Sequence, residues 1–290
     1  MKFEYSAGAF VYVEKDGVIK LLFLKRGDAF DLPKGNIEKE ESALEAAKRE
    51  VKEETGLSAS FLPFFSKTTK FFYYENNEKV LKTVKYFIAK ADTEQVKLSY
   101  EHTGYLWLTY EEAVKTIPYK DLKEALPLVY DYIQRNEAME KLNKEYARLP
   151  DVSKSWNLSR NFVPGEGPLN AEVMLIGQAP GRNEDLQRRP FVGRGGQVLN
   201  EALKKAKIKR EEAYITSVVQ FYPPENREPT DSEISLCMTF LERQLKIVKP
   251  RFVILLGNVA SKALLGIENV SKEHGKSVEK EGITYFISFH

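Results

Sequence analysis

Apolar and polar positions alternate through residues 6–13 (SAGAFVYV) and 19–26 (IKLLFLKR), a period of two that predicts two β-strands. Turn-forming residues follow at 31–35, and the charged segment 42–54 reads as a helix. Strand-like runs recur at 59–65, 68–74, 80–89 and 104–108, and residues 119–135 form a helical stretch. Residues 136–150 are charged, with Leu and Met at spaced positions, and read as a linking helix. Pro150 and the irregular NFVPGEGPLN end that region. Beyond residue 171 the pattern changes. Short apolar strands, VMLIG, YITSVV, RFVILLG and YFISF, alternate with helical patterns at 196–207 and 231–248. Strand and helix in alternation predict a parallel sheet covered on both faces. The expectation is an α/β protein of two domains, residues 1–135 and 171–290, joined by 136–170.

Composition narrows this picture. A chain of 290 residues that is 42% hydrophobic and 12% aromatic has enough apolar surface for two cores. No apolar run reaches the length of a membrane span and no basic-then-apolar leader opens the chain, so no membrane partner and a cytoplasmic location are expected. The single cysteine, Cys237, excludes an intramolecular disulfide framework and any multi-cysteine metal site. The 44 basic and 42 acidic residues nearly cancel, so nucleic-acid binding has to be argued from local patches. No internal repeat or low-complexity tract is present.

The most specific chemistry lies in residues 35–57. On a helix, Glu50, Glu53 and Glu54 fall three and four residues apart and share a face. Three like charges on one face repel, and clustered carboxylate oxygens suit Mg²⁺ or Mn²⁺. A solvated face in a chain that is 30% charged is the plain alternative. The whole spacing decides between them. Gly35, five residues, Glu41, seven residues, Arg49-Glu50-Val51, one residue, Glu53-Glu54, one residue and Gly56-Leu57 resemble the Nudix box at every fixed position.

That resemblance implies an α/β/α sandwich with the box as loop–helix–loop, and hydrolysis of a nucleoside diphosphate linked to another group. Splitting a pyrophosphate requires neutralising the phosphoryl oxygens and aligning a water in line with the leaving oxygen. By the resemblance, Glu50, Glu53 and Glu54 would hold two or three Mg²⁺ ions that do both. Gly35 would lend a carbonyl, Arg49 would orient a carboxylate, and Glu41 would suit the helix start. The flanks LPKG (32–35), KTVKYFIA (82–89), EHTGYLWLTYEEA (101–113) and YKDLKEAL (119–126) resemble the diadenosine tetraphosphate hydrolase group over residues 3–133. This implies Glu101 as a further metal ligand and Lys34 and Lys82 as phosphate contacts. Tyr73, Tyr74 or Tyr119 would stack on a base, with ordinary packing as each one's alternative. Asn36, Lys39 and Glu40 depart from the group's pattern, as does the stretch before LPKG, where Phe30 and Asp31 stand.

In the second half GQAPGRNED (177–185), PFVGRGG (190–196), YPPENREPTDSEI (222–234), ILLGNVASKALLG (254–266) and Phe289-His290 resemble the family 4 uracil-DNA glycosylases. The resemblance implies that a flipped uracil stacks on Phe191 and that Glu184 or Asp185 assists the attacking water or the cation-like sugar. His290 would stabilise the departing uracil anion. Ser217 stands where an Asn reads the uracil edge, and Gln178 where a Glu follows the first motif glycine; a hydroxyl offers fewer hydrogen bonds than an amide. The family's four cluster cysteines correspond to Ser153, Trp156, Phe221 and Cys237, so no iron–sulfur cluster is expected. The ending at His290 reads as a truncated or degenerate domain lacking the loop that follows the His. Arg188, Arg189, Lys204, Lys205 and Lys207 would touch phosphates or form solvated helix faces.

The expected function is Mg²⁺-dependent cleavage of a pyrophosphate bond in a dinucleoside polyphosphate or nucleoside triphosphate. The alternatives are uracil excision as the principal activity, or a non-catalytic module that binds DNA.

Overall fold

The computed structural model describes residues 2–153 and 157–290. Trp156 lies outside the described residues. The chain divides into two compact units, Met1–Ile133 and Gln134–His290.

The first unit holds an eight-stranded mixed sheet. Its elements are β1 (Lys2–Lys15), β2 (Val18–Arg26), β3 (Ala29–Asp31), β4 (Lys34–Asn36), α1 (Ala43–Thr55), β5 (Ala59–Phe61), β6 (Lys67–Glu75), β7 (Glu78–Ala91), β8 (Gly104–Leu108) and α2 (Tyr110–Thr116). The helix α3 (Lys120–Ala147) begins in this unit. β1 and β7 pair in parallel at the centre, and β2, β4, β5, β6 and β8 join them antiparallel. The period-two pattern of β1 puts Ala9, Val11 and Val13 in a core with Leu22, Leu24, Val51 and Leu57. Ala7 of β1 takes Ala46 and Ala47 of α1 at close range. Two short strands, β3 and β4, occupy the stretch whose composition suggests only a turn. The residues between them, Leu32 and Pro33, make the reversal. Residues 136–147 continue α3 without a break, although Pro127 lies inside it.

In the second unit α3 is followed by α4 (Leu149–Val152), β9 (Val173–Gly177), α5 (Arg182–Gln187), α6 (Arg194–Lys205), β10 (Ala213–Ser217), α7 (Asp231–Val248), β11 (Phe252–Leu256), α8 (Asn258–Leu265), α9 (Val270–Glu273), β12 (Ser277–Lys280) and β13 (Ile283–Ser288). Four strands run parallel in the order β10-β9-β11-β13, with β12 antiparallel at the edge. Every residue of β10 is buried, as expected for a strand covered on both faces. Parallel strands share one direction, so Gly177, Ser217, Gly257 and Phe289-His290 all emerge at the same end of the sheet.

Candidate functional site

In the first unit, α1 is fixed at both ends. Ser42 and Glu45 form a reciprocal capping box, and Gly56 closes the helix at φ +68°, a left-handed conformation that glycine adopts without penalty. The helix therefore holds its carboxylates in place. Arg49 gathers three of them: its guanidinium donates to Glu41 (3.0 Å twice), to Glu50 (2.6 Å) and to Glu53 (3.3 Å), and also to the Asn36 carbonyl (3.0 Å). The Arg49 hydrogen bonds hold the Glu41 carboxyl below the usual range.

Glu54 differs from its neighbours. It is buried, and its Oε2 accepts the Lys34 backbone N–H at 3.1 Å. Burial pushes its carboxyl up to about 8, against the opposing pull of that N–H; the nearby Glu50 and Asp31 charges add to the rise. Gly35 sits directly against Glu50: a β-carbon at residue 35 would coincide with the Glu50 carboxylate. The Lys34 ammonium turns to Asp31 at 2.5 Å.

The segment bearing Glu101 is tied to the C-terminal end of α1, through Lys97 N–H to Thr55 O (2.8 Å) and Ser99 N–H to Glu54 O (3.2 Å). Glu101 itself is half-exposed and accepts a 2.6 Å bond from Arg26. Beside it His102, a residue the sequence reading passed over, is buried with Nδ1 3.3 Å from the Ser99 hydroxyl. Burial, then the Arg26 charge, lowers its pKa.

Lys82 and the tyrosines separate. β1, β7 and β6 align Glu4 with Lys82 and Lys82 with Phe71, and Tyr73 lies two residues on, on that same face. There Tyr73 donates to Glu4 (2.7 Å) and the Lys82 ammonium stands 3.8 Å from the same carboxylate. Tyr74 points to the opposite face, and Tyr119 lies just before α3, partly exposed.

The donor set fits a hard divalent cation: three carboxylates on one helix face, one of them buried and resisting ionisation, with the Gly35 backbone against Glu50. As oriented, among the described residues, no three acidic, His or Cys side chains surround one point. Arg49 and the Lys34 N–H carry the balancing interactions instead.

In the second unit a cleft of about 400 Å³ opens at the strand ends. Gln178, Glu184, Phe191, Ser217 and His290 line it together, so the motifs at 177–185, 190–196 and 289–290 converge. Gly177 makes room for Phe191, since a β-carbon there would lie 2.5 Å from the ring's Cζ. Phe191 adopts φ +52°, a left-handed backbone costly for an aromatic residue and held by its surroundings. Arg210, a residue the motifs do not include, provides part of that hold by donating to the carbonyls of Pro190 (2.7 Å) and Phe191 (3.3 Å). His290 packs on Gly257, whose φ of +97° favours glycine.

Glu184 and Asp185 part company. Glu184 accepts three backbone N–H groups, from Gly181 (3.1 Å), Val192 (3.0 Å) and Gly193 (2.7 Å). Asp185 is not among the cleft residues and accepts from Ser159 (2.5 Å) and Asn161 (3.1 Å). Asn183, Arg194, Asn226 and Arg227 are cleft residues that the sequence reading did not single out. Arg189 is paired with Glu166 by two 2.7 Å bonds, and Lys204, Lys205 and Lys207 lie exposed at the end of α6.

The positions matched to cluster cysteines do not fit an iron–sulfur cluster. Phe221 and Cys237 are fully buried beside an aromatic group, with Tyr146 stacked on Phe240 (4.2 Å, 8°) and at 5.3 Å and 5.2 Å from Phe221 and Phe162. Burial raises the Cys237 thiol to about 11, so thiolate chemistry is suppressed there.

A family model for the NUDIX domain matches residues 2–129, and one for the uracil DNA glycosylase superfamily matches residues 164–290. Over 165 residues the chain is 36% identical to the type-4 uracil-DNA glycosylase of Sulfurisphaera tokodaii, covering 53% of this chain and 74% of that one. Over 116 residues it is 34% identical to the asymmetrical bis(5'-nucleosyl)-tetraphosphatase of Mus musculus, covering 38% and 78%. Among solved structures it is similar to an Ap4A hydrolase binary complex from C. elegans, at 28% identity and a TM-score of 0.41, covering 45% of this chain and 98% of that one. The chain spans between 52% and 74% of the lengths of five type-4 glycosylases that it matches.

Proposed function

Since the chain belongs to the Nudix family in its first half and to the uracil-DNA glycosylase superfamily in its second, we propose that it is a divalent-metal-dependent pyrophosphohydrolase of a dinucleoside polyphosphate, joined to a base-binding glycosylase-type unit. The observation that carries the first part is the pairing of Gly35 with Glu50 and of Lys34 with Glu54, which brings the loop backbone onto two box carboxylates.

Mg²⁺, when bound, supplies charge neutralisation at the phosphoryl oxygens and a more acidic water. Glu50, Glu53 and Glu54 are the residues that would hold it, with the Gly35 carbonyl and Glu101 alongside. The chain's own residues do the rest. Arg49 keeps Glu50 and Glu53 oriented through bonds of 2.6 and 3.3 Å. Without metal, the buried Glu54 carboxyl holds its proton near neutrality, so taking up the cation would displace that proton. Lys82, held beside Glu4 and Tyr73, offers a cation to a polyphosphate chain along that sheet face. A longer polyphosphate suits that spread of cations better than a compact triphosphate.

The test is hydrolysis of diadenosine tetraphosphate with and without Mg²⁺, in the full chain and in Glu53→Gln and Glu54→Gln. Loss of at least a hundredfold in kcat in each variant is expected. Full activity in both would sink the reading.

The cleft favours a second reading beside the first, in which the second unit takes a flipped base. Phe191 over Gly177, with Ser217 and His290 in the same cleft, offers a ring and polar groups at base-like scale. A uracil-containing single strand incubated with the full chain should yield abasic product, and His290→Ala should reduce it. Binding without product points instead to a non-catalytic module.

A further inference from the structure

The first unit carries a second surface that pyrophosphate hydrolysis does not use. In β1, β7 and β6, cross-strand rows alternate between two faces. One face carries Glu4, Lys82 and Tyr73. The other carries Phe3, Leu81 and Phe72 in one row and Tyr5, Thr83 and Lys70 in the next, with Lys79 opposite Tyr74 at the hairpin end. On that face four aromatic side chains stand in solvent: Phe3 at 55% exposure, Tyr5 at 60%, Phe72 at 54% and Tyr74 at 72%. The apolar side chains of a folded core have no reason to gather there, and contiguous exposed aromatics mark interaction sites.

The charge on this face says what it meets. The rows contain Lys70, Lys79 and Lys85 and no acidic residue, although the opposite face of the same strands holds Glu4, Glu75 and Glu78. Lys79 already lies over the Phe72 ring at 4.2 Å, which places a cation at a stacking surface. Phe3 and Phe72 flank Leu81 on the neighbouring strands, so three apolar side chains form one continuous row across the sheet. Aromatic rings interleaved with cations on an open sheet are the chemistry of a stacking platform for a flexible polyanion.

We propose that this face binds single-stranded nucleic acid, with Phe3, Tyr5 and Phe72 stacking on bases and Lys70 and Lys79 meeting phosphates. The platform uses none of the box carboxylates and none of the cleft residues of the second unit, and it does not depend on either of their activities.

The probe is a fluorescein-labelled oligothymidylate, titrated with the full chain in EDTA so that no hydrolysis intervenes. Phe3→Ala/Phe72→Ala should weaken binding about tenfold or more. Lys70→Ala should reduce the steepness of the log affinity–log salt plot by about 0.7. Because removing two rings could disturb the hairpin, a measurement on the unaltered chain accompanies it. Ultraviolet crosslinking of an iodouracil-containing strand, followed by peptide mapping, should mark residues 3–5 and 70–74. Crosslinks confined to the second unit, with unchanged affinity in the double variant, overturn the proposal. So does a dimer that the double variant dissociates while its nucleic-acid binding persists, since a second copy would then be what covers the face.

Discussion

The Glu50 carboxylate lies against the α-carbon of Gly35, in the space that any side chain at residue 35 would fill. The loop and the helix of the box are thereby fitted to each other at one point. Gly35→Ala must push Glu50 aside or lift the loop from α1. Diadenosine tetraphosphate hydrolysis should fall at least a hundredfold in kcat, a change of about 3 kcal/mol in barrier, with circular dichroism unchanged. Wild-type turnover in this variant would falsify the role given to the pairing.

Glu54 gives the first unit a pH signature. Its folded pKa of about 8 lies above the unfolded value of 4.5, so the native state holds a proton that the unfolded chain has released. Without metal, stability should therefore fall as pH rises from about 4.5 to 8, and stay low above that window. Glu54→Gln removes the slope, and at pH 8 the metal-free variant should be the more stable by about 2–4 kcal/mol. Denaturation of the full chain in EDTA across this range reads the effect. Added Mg²⁺ should stabilise the wild type more at pH 8 than at pH 5, and equal gains at both would count against a metal on Glu54.

Tyr146 anchors the aromatic group beside Cys237. Tyr146→Ala empties a fully buried site stacked on Phe240 and should cost about 3–5 kcal/mol. The Cys237 thiol, buried and raised to about 11, should react with a thiol reagent only after unfolding. Prompt labelling of the native protein would show that this region opens.

Glu184 joins two loops of the cleft through Gly181, Val192 and Gly193. Glu184→Ala strands three N–H groups and should speed amide exchange at Val192 and Gly193, with a loss of about 2–4 kcal/mol. Glu184→Gln keeps one acceptor oxygen and should lose less. Equal exchange in wild type and Ala variant would mean that the loops hold without it.

Where the sequence was informative, it was so because spacing alone carries geometry. The capped helix with Glu50, Glu53 and Glu54, and the convergence of Phe191, Ser217 and His290 at the strand ends, follow from helical periodicity and from the direction of parallel strands. What spacing could not reveal is what each side chain touches. Glu184 and Asp185 are adjacent in sequence, yet one ties the cleft loops and the other turns to Ser159 and Asn161. Tyr73 and Tyr74 are likewise neighbours on opposite sheet faces, a distinction set by strand register. Glu54 gave no sign of its burial, because the N–H that meets it comes from Lys34, twenty residues away. The sequence pattern divides this stretch at residue 135, where the composition becomes more charged, yet α3 runs on through residue 147.

Arg135 of α3 donates to the carbonyls of Leu169, Ile247 and Val248, at 3.1, 3.0 and 2.6 Å, and so satisfies the last turn of α7. Met139 and Tyr146 of the same helix meet Tyr214 and Phe221. The packed boundary of the second unit lies earlier than residue 164, where the family model that matches the unit starts. Any shortened version beginning there would expose a seam of aromatic surface and leave helix-end carbonyls bare, and would be expected to aggregate. The packed module is therefore longer than the stretch from residue 164, and a working second half starts at Gln134 or earlier.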